Sequence, residues 1–76
     1  MGTWNYRVFH RVVQGEDEYS IREAYYDDDD NVNGFSDKAI WPHGESRKEL
    51  GEDLIHMVEA MAQPTIEINE AGTDLV

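Results

Sequence analysis

The chain contains no cysteine, which excludes a disulfide framework, a thiolate zinc site and a cysteine nucleophile. It has no apolar run that approaches the length of a membrane span, about 18 residues. The first residues, from 1 to 7, lack the apolar core of a signal peptide. We therefore expect a cytoplasmic protein, a compartment that also fits the missing cysteines.

Basic residues are scarce: six lysines and arginines stand against seventeen aspartates and glutamates, and the net charge is −11 in a chain of 76 residues. Nucleic-acid binding requires clustered basic residues, and the same repulsion disfavours anionic membranes. The composition therefore predicts no direct binding to nucleic acid or membrane, and favours a basic protein partner or a solvated acidic surface. The length allows one domain, which buries only about 60% of its unfolded surface, so contacts with a partner or second copy are expected.

Alternating apolar residues predict two strands, at residues 4 to 13 and 19 to 26, joined by a polar connection at residues 14 to 18. The Asp- and Asn-rich segment from 27 to 34 predicts a turn, because these residues tolerate left-handed backbone. A weaker third strand is predicted at residues 35 to 41. The core residues expected from this sheet are Trp4, Tyr6, Ile21 and Trp41.

A helix is predicted to begin after Ser46 and to run to about Ala62, and Pro64 ends it. Ser46 and Glu49 match a capping box, in which the serine hydroxyl accepts a hydrogen bond from the Glu49 amide. In the same motif the Glu49 carboxylate accepts a hydrogen bond from the Ser46 amide. The apolar stripe expected to pack on the sheet consists of Leu50, Leu54, Met57, Val58 and Met61.

These elements predict an α+β fold of the order β-β-β-α: a three-stranded antiparallel sheet with one C-terminal helix packed on one face. Residues 1 to 64 are expected to form this domain, and residues 65 to 76 a short tail, with room for an edge strand at 65 to 68 before a frayed end. No predicted element covers the second face, where Phe9, Val13 and Tyr26 would lie. Apolar groups on an uncovered face mark an interface, so we expect a homodimer or a bound partner.

The chain offers only weak signals for a metal or for catalysis. Residues 29 to 34 match the first half of a calcium-binding loop, but Ile40 stands where that loop requires a bidentate glutamate. The three histidines lack the paired spacing of a zinc site, and no serine has a local nucleophile motif. We therefore predict a protein with no cofactor, no metal and no enzymatic activity, and keep a calcium site or an enzyme as an alternative hypothesis.

The acidic residues themselves carry a functional hypothesis. We expect a basic partner to contact the acidic turn and the acidic side of the helix, together with one apolar residue of the uncovered face. The predicted partner-binding residues are Asp27, Asp28, Asp29, Asp30, Glu49, Glu52, Asp53 and Phe9. An alternative is a nucleic-acid mimic or inhibitor of the phage type, because the acidic turn and residues 16 to 18 would place negative charge at both ends of the strands.

The opening Trp4-Asn5-Tyr6-Arg7-Val8, together with Tyr25-Tyr26-Asp27 and Gly44-Glu45-Ser46, resembles a group of small bacterial proteins of uncharacterised function. More distantly, a hairpin and third strand leading through Gly44-Glu45-Ser46 into one helix resemble the HicB-type antitoxin domain, a partial RNase H-like unit. Ile40-Trp41-Pro42-His43 stands where that family has a Pro-Asp-Leu-Pro-Gly signature. The resemblance implies the fold and an interaction role, and the sequence thus predicts a small acidic interaction module, antitoxin-like in manner.

Overall fold

The structure, a computed structural model, describes residues 3 to 76 and confirms the α+β class. The elements in chain order are β1 (Thr3–Val13), β2 (Glu16–Tyr26), β3 (Val32–Phe35), α1 (Arg47–Ala60) and β4 (Ile66–Glu67). The sheet has four strands in the order β3-β2-β1-β4. Strands β1 and β2 pair antiparallel, as do β2 and β3, whereas β4 runs parallel to β1.

The first two strands form a long hairpin with a two-residue turn. Gln14 and Gly15 both have positive φ, 52° and 81°, as a type I′ turn requires. The turn is shorter than predicted, because this backbone geometry lets pairing start at once, with Val13 opposite Glu16. Strand β2 therefore begins at Glu16 rather than at Tyr19.

The register of this hairpin sorts the side chains onto two faces of the sheet. Tyr6 pairs with Glu23 and Phe9 pairs with Ser20, so even-numbered residues of β1 share a face with odd-numbered residues of β2. Helix α1 lies on that side, where the Tyr6 hydroxyl bonds to Asp53, and we name it the helix face. The opposite side carries Phe9 and is covered by residues after β4, and we name it the tail face.

The tail face holds the main core, and the expectation that it is uncovered is wrong. Phe9 is fully buried within the single chain, where it packs with Ala24 and Ile68. Its ring centroid lies 5.2 Å from that of Phe35 on β3. The cover is positioned by β4, whose parallel pairing with β1 places Ile66 beside Phe9 and brings Ile68, the residue after β4, onto the same face. Phe9 is consequently a core residue and not a surface that a partner reaches.

The segment after β4 is hydrogen-bonded, whereas the sequence predicted a frayed tail. Ile68 pairs with Leu75, and the Asn69 amide donates to the Asp74 carbonyl at 2.9 Å. The Asn69 side-chain oxygen also accepts from the Thr73 amide at 2.9 Å, an Asx-type bond that closes the loop. This local network explains how a polar segment keeps its shape over the tail face.

The third strand lies earlier than predicted, at Val32–Phe35 instead of residues 35 to 41. The reason is a compact turn: the Asp27 carboxylate accepts hydrogen bonds from the amides of Asp29 and Asn31, so the chain reverses within four residues. Residues 36 to 45 have no regular structure. Trp41, predicted to be a core residue, lies in this segment and is 73% exposed.

The helix begins where it was predicted to begin. Ser46 has an extended backbone, and its hydroxyl accepts a hydrogen bond from the Glu49 amide at 3.1 Å, which confirms the N-cap. The reciprocal bond differs from the prediction: the Glu49 carboxylate accepts from the Glu45 amide at 2.9 Å, one residue earlier than Ser46. Across residues 3 to 76, no helix is both long enough and apolar enough to cross a membrane.

The helix is rotated relative to the predicted stripe. Met57 and Ala60 are its buried residues, and Asp53 continues the same line toward β1. Val58 and Met61, expected beneath the helix, are 68% and 70% exposed. The bond between Tyr6 and Asp53 lies on the side of α1 that faces the sheet, and in this orientation much of the apolar stripe is in solvent.

Candidate functional site

A cleft of about 430 Å³ lies on the helix face, between the beginning of β1 and the second half of α1. Strand β1 forms one wall, and the side of α1 that faces the sheet forms the other. The residues that line it are Trp4, Asn5, Tyr6, Asp53, His56, Glu59, Ala60 and Gln63. We name this site the aromatic–acidic cleft, because two ring side chains face two carboxylates within it.

The strand wall is aromatic. Trp4 and Tyr6 are two residues apart on β1, so the pleat of the strand places both on the helix face. Their ring centroids lie 5.4 Å apart with an interplanar angle of 74°, an edge-to-face arrangement. Trp4 is 55% exposed, and Tyr25, directly opposite it on β2, is also exposed. The expectation that Trp4 is a core residue is therefore wrong, and its ring remains open to a ligand.

The helix wall is acidic, and its central group is Asp53. One Asp53 oxygen, Oδ1, accepts from the Tyr6 hydroxyl at 2.6 Å, and the other, Oδ2, accepts from the His43 amide at 2.9 Å. These two hydrogen bonds, chiefly the one from Tyr6, lower the pKa of Asp53 below its usual value. Asp53 is thus an ionised carboxylate held in one orientation at neutral pH.

The same hydrogen bond determines the protonation state of Tyr6. The hydrogen bond to Asp53 is the largest cause, followed by burial and by the negative charges of Asp53 and Glu23, and together they raise the pKa of Tyr6 to about 12. The Tyr6 hydroxyl therefore stays protonated and acts as a donor rather than as a base or nucleophile. Tyr25 is held similarly, because its hydroxyl donates to Glu23 at 2.7 Å.

The electrostatics of the cleft favour a cation. Of the described residues that line it, none is lysine or arginine. Its histidine, His56, lies 3.9 Å from Glu59, a long contact between two exposed side chains. Two carboxylates, Asp53 and Glu59, therefore meet no permanent positive charge from the walls of the cleft itself, while the whole chain carries a net charge of −11.

A shallow groove continues the acidic surface along the first turns of α1. Its lining includes Glu49 and Glu52, both exposed, and it shares Asp53 and His56 with the aromatic–acidic cleft. The structure thus brings together three of the partner-binding residues that the sequence predicted. The remaining acids of that prediction lie elsewhere in the chain: Asp27, Asp28, Asp29 and Asp30 form the turn between β2 and β3.

Sequence reasoning missed the aromatic half of the cleft. Trp4 and Tyr6 were assigned to the core, because alternation along a strand shows which residues share a face but not which part of that face is covered. Glu59 belongs to the acidic side of the predicted helix, but it was not among the predicted partner-binding residues. The usable signal was the pair of aromatic residues at period two on β1, combined with two acids, Asp53 and Glu59, on the one predicted helix.

The geometry of the described chain does not favour the calcium hypothesis. Residues 3 to 76 contain no group of three or more His, Asp or Glu side chains placed to hold a metal ion. The segment that matches half of a calcium loop is used otherwise: Asp27 holds the turn, and Asn33 and Gly34 belong to β3.

The fold and the cleft define a small α+β domain with an acidic and aromatic surface. Comparison of the chain with models of protein families, with curated proteins and with solved structures gives no match.

Proposed function

We propose that the protein is a small, non-enzymatic interaction module that binds a basic protein partner, in the manner of an antitoxin. The observation that carries the proposal is the acidic surface of the helix face. In it, Glu52, Asp53 and Glu59 project from one helix beside an open aromatic wall, and no lysine or arginine lines the described cleft. A positively charged surface complements this arrangement.

An exposed apolar ridge on α1 supports the same proposal. Its members are neighbours at helical spacing, and all are exposed: Leu54, Ile55, Val58 and Met61. Contiguous apolar side chains bordered by charge are typical of protein–protein interfaces. Because every copy of this chain is strongly acidic, a basic partner gains more from this surface than a second copy does. A homodimer is thus the less favoured occupant.

The alternative of a nucleic-acid mimic has less support. It requires strong negative charge at both ends of the strands. At the hairpin end, however, Arg11 bonds to Glu18 at 2.8 Å and His10 bonds to Asp17 at 2.7 Å. These contacts offset part of the charge that residues 16 to 18 would present to a basic nucleic-acid site.

The test is a tagged pull-down from a lysate of the encoding organism, with nuclease added and with washes at low and high salt. Glu52→Lys reverses a charge on the helix face, and Glu16→Lys makes the same reversal at the hairpin turn. We expect a stoichiometric basic partner that high salt releases and that Glu52→Lys loses while Glu16→Lys retains it. A partner that ignores salt and both substitutions, or a chain that recovers only itself, contradicts the proposal.

A further inference from the structure

We propose that the aromatic–acidic cleft is a receptor for one cationic side chain, an arginine guanidinium or a lysine ammonium, that projects from the partner. This inference rests on the proposed function, since it names the group by which a basic protein would be recognised. It assigns a ligand-contact role to Trp4, Tyr6, Asp53 and Glu59.

The aromatic wall supplies the first part of the recognition. Cations are attracted to the faces of aromatic rings, and to tryptophan most of all, within about 6 Å of the ring centroid. Trp4 and Tyr6 stand at 74° to each other, so they present two ring orientations around a shared space. Within residues 3 to 76, no lysine or arginine lines the cleft. The arginine that lies over an aromatic ring is Arg22, and that ring is Phe35 on the tail face.

The carboxylates supply the second part. Each oxygen of Asp53 accepts one hydrogen bond from the protein, and a carboxylate oxygen has capacity for a further donor. The Tyr6 and His43 donors hold this group rigid, so a guanidinium or ammonium would meet an oriented charge. Glu59 adds a second charge from the adjoining turn of α1, and its loose contact with His56 does not need to be broken.

The residues that line the cleft favour an organic cation over a metal ion or a neutral apolar ligand. A hard metal ion requires a cage of oxygen ligands, and here aromatic rings and Ala60 form much of the lining. A neutral apolar ligand would strip water from Asp53 and Glu59 without replacing their hydrogen bonds. A long side chain with a charged head satisfies both surfaces, because its stem packs on the apolar wall while its head reaches the carboxylates.

The experiment uses the full chain with Trp41→Phe, so that Trp4 is the one remaining indole. The probes are N-acetyl-arginine methylamide, N-acetyl-lysine methylamide and the neutral isostere N-acetyl-citrulline methylamide. We expect at least one of the two cations, and not the citrulline compound, to produce a saturable NMR shift of the Trp4 indole N–H. Glu59→Gln should weaken that binding by about threefold or more, whereas Glu16→Gln, at the hairpin turn, should leave it unchanged.

The outcomes separate this inference from the proposed function. No saturable shift with either cation, an equal shift with citrulline, or equal effects of Glu59→Gln and Glu16→Gln would overturn the receptor role. A pull-down with Trp4→Leu distinguishes the cleft proposal from the proposed function. If Glu52→Lys loses the basic partner while Trp4→Leu and Glu59→Gln both retain it, the interaction module stands and the cleft proposal fails. If the cation binds but no basic partner is recovered, the cleft stands and the proposed function fails.

Discussion

The two faces of the sheet differ in how completely they are covered. On the tail face, Phe9, Ala24 and Ile68 are almost completely buried, and rings and aliphatic groups from β3 and β4 pack around them. On the helix face, burial is confined to a strip that includes Val8 and Met57, and beside it lies an open cleft with an exposed tryptophan. The same hairpin therefore provides the core of the domain on one side and one wall of an open cleft on the other.

The difference follows from how each cover is attached. The tail face is closed by β4, which hydrogen-bonds to β1, and by residues 68 to 75, which carry their own hydrogen bonds. The helix face is covered by a single helix that packs on β1 and is positioned by polar contacts, notably from Asp53. A small domain with one tight core can tolerate an incompletely packed second face, and this leaves side chains such as Trp4 exposed.

The largest expected effect compares truncations on the two faces. Phe9→Ala should lower the free energy of unfolding by about 3–5 kcal/mol, because it empties a fully buried site. Trp4→Ala removes a larger ring, yet it should cost no more than about 1 kcal/mol, because that ring is mostly in solvent. Urea denaturation followed by circular dichroism measures both values.

Equal costs for these two substitutions would mean that the two faces contribute equally to stability, contrary to this expectation. Phe9→Leu keeps the measurement possible if Phe9→Ala does not fold, since it retains an apolar side chain of smaller volume. Its cost should still exceed that of Trp4→Leu.

A second comparison is between two glycines near the start of α1: Gly44 precedes the N-cap Ser46, and Gly51 lies inside the helix. A Cβ at Gly44 would overlap the backbone at Leu50 and Glu49, which cannot move without shifting the start of α1. At Gly51, an added Cβ would meet no heavy atom within 4 Å. Gly44→Ala should therefore destabilise by about 2 kcal/mol, through overpacking, whereas Gly51→Ala should stabilise by about 0.5–1 kcal/mol through helix propensity. Thermal denaturation of the two variants gives the sign of each effect, and a neutral Gly44→Ala would contradict the close approach.

Local sequence patterns predicted the fold class, the first hairpin and the Ser46 cap, because each depends on residues close together in the chain. They did not predict which face of the sheet is buried. Both faces of β1 carry apolar residues, and the choice is made by the parallel pairing of Ile66 with Phe9, which are separated by most of the chain. Hydrophobic periodicity is a property of a short stretch of sequence, so it cannot reveal a contact between residues this far apart in the chain.

The candidate site was only partly predictable for the same reason. Asp53 was identified as an acid on the exposed side of a helix, but its bond to Tyr6 spans 47 residues. In the orientation that includes this bond, Val58 and Met61 are exposed. A hydrophobic stripe gives the best apolar face of an isolated helix, but the side that packs on the sheet is set by contacts between residues distant in the chain.

The third test concerns how firmly the helix is held. Ser46→Ala removes the acceptor for the Glu49 amide and should cost about 1 kcal/mol, while Ser46→Asp, which keeps a capping oxygen, should cost much less. The measurement is the chemical denaturation midpoint of the three proteins. Because the loss affects the start of α1, amide exchange should rise in the helix and not in the tail-face residues near Ile68. A uniform rise across both faces would show that they unfold as one unit.

The smallest expected effect concerns His10, whose ring joins the hairpin to β4. Its Nδ1 lies 2.6 Å from a Glu67 oxygen, and its Nε2 lies 2.7 Å from an Asp17 oxygen. Both ring nitrogens can donate to these carboxylates only when the imidazole is protonated. The bond to Glu67, and next the bond to Asp17, raise the pKa of His10 above its ordinary value.

The sign of the pH dependence follows from this shift. Since the pKa of His10 is higher in the folded than in the unfolded protein, its stabilisation is complete below the unfolded value of about 6.5 and is lost as the pH rises through the folded pKa. Denaturation midpoints measured across that range should fall with pH in the wild-type protein and fall less in His10→Gln. Glu67→Gln should flatten the dependence more than Asp17→Asn, because the Glu67 bond is the larger cause. Parallel pH profiles for the wild type and His10→Gln would instead mean that β4 is held by its backbone pairing alone, and that the cover of the tail face does not depend on this side-chain link.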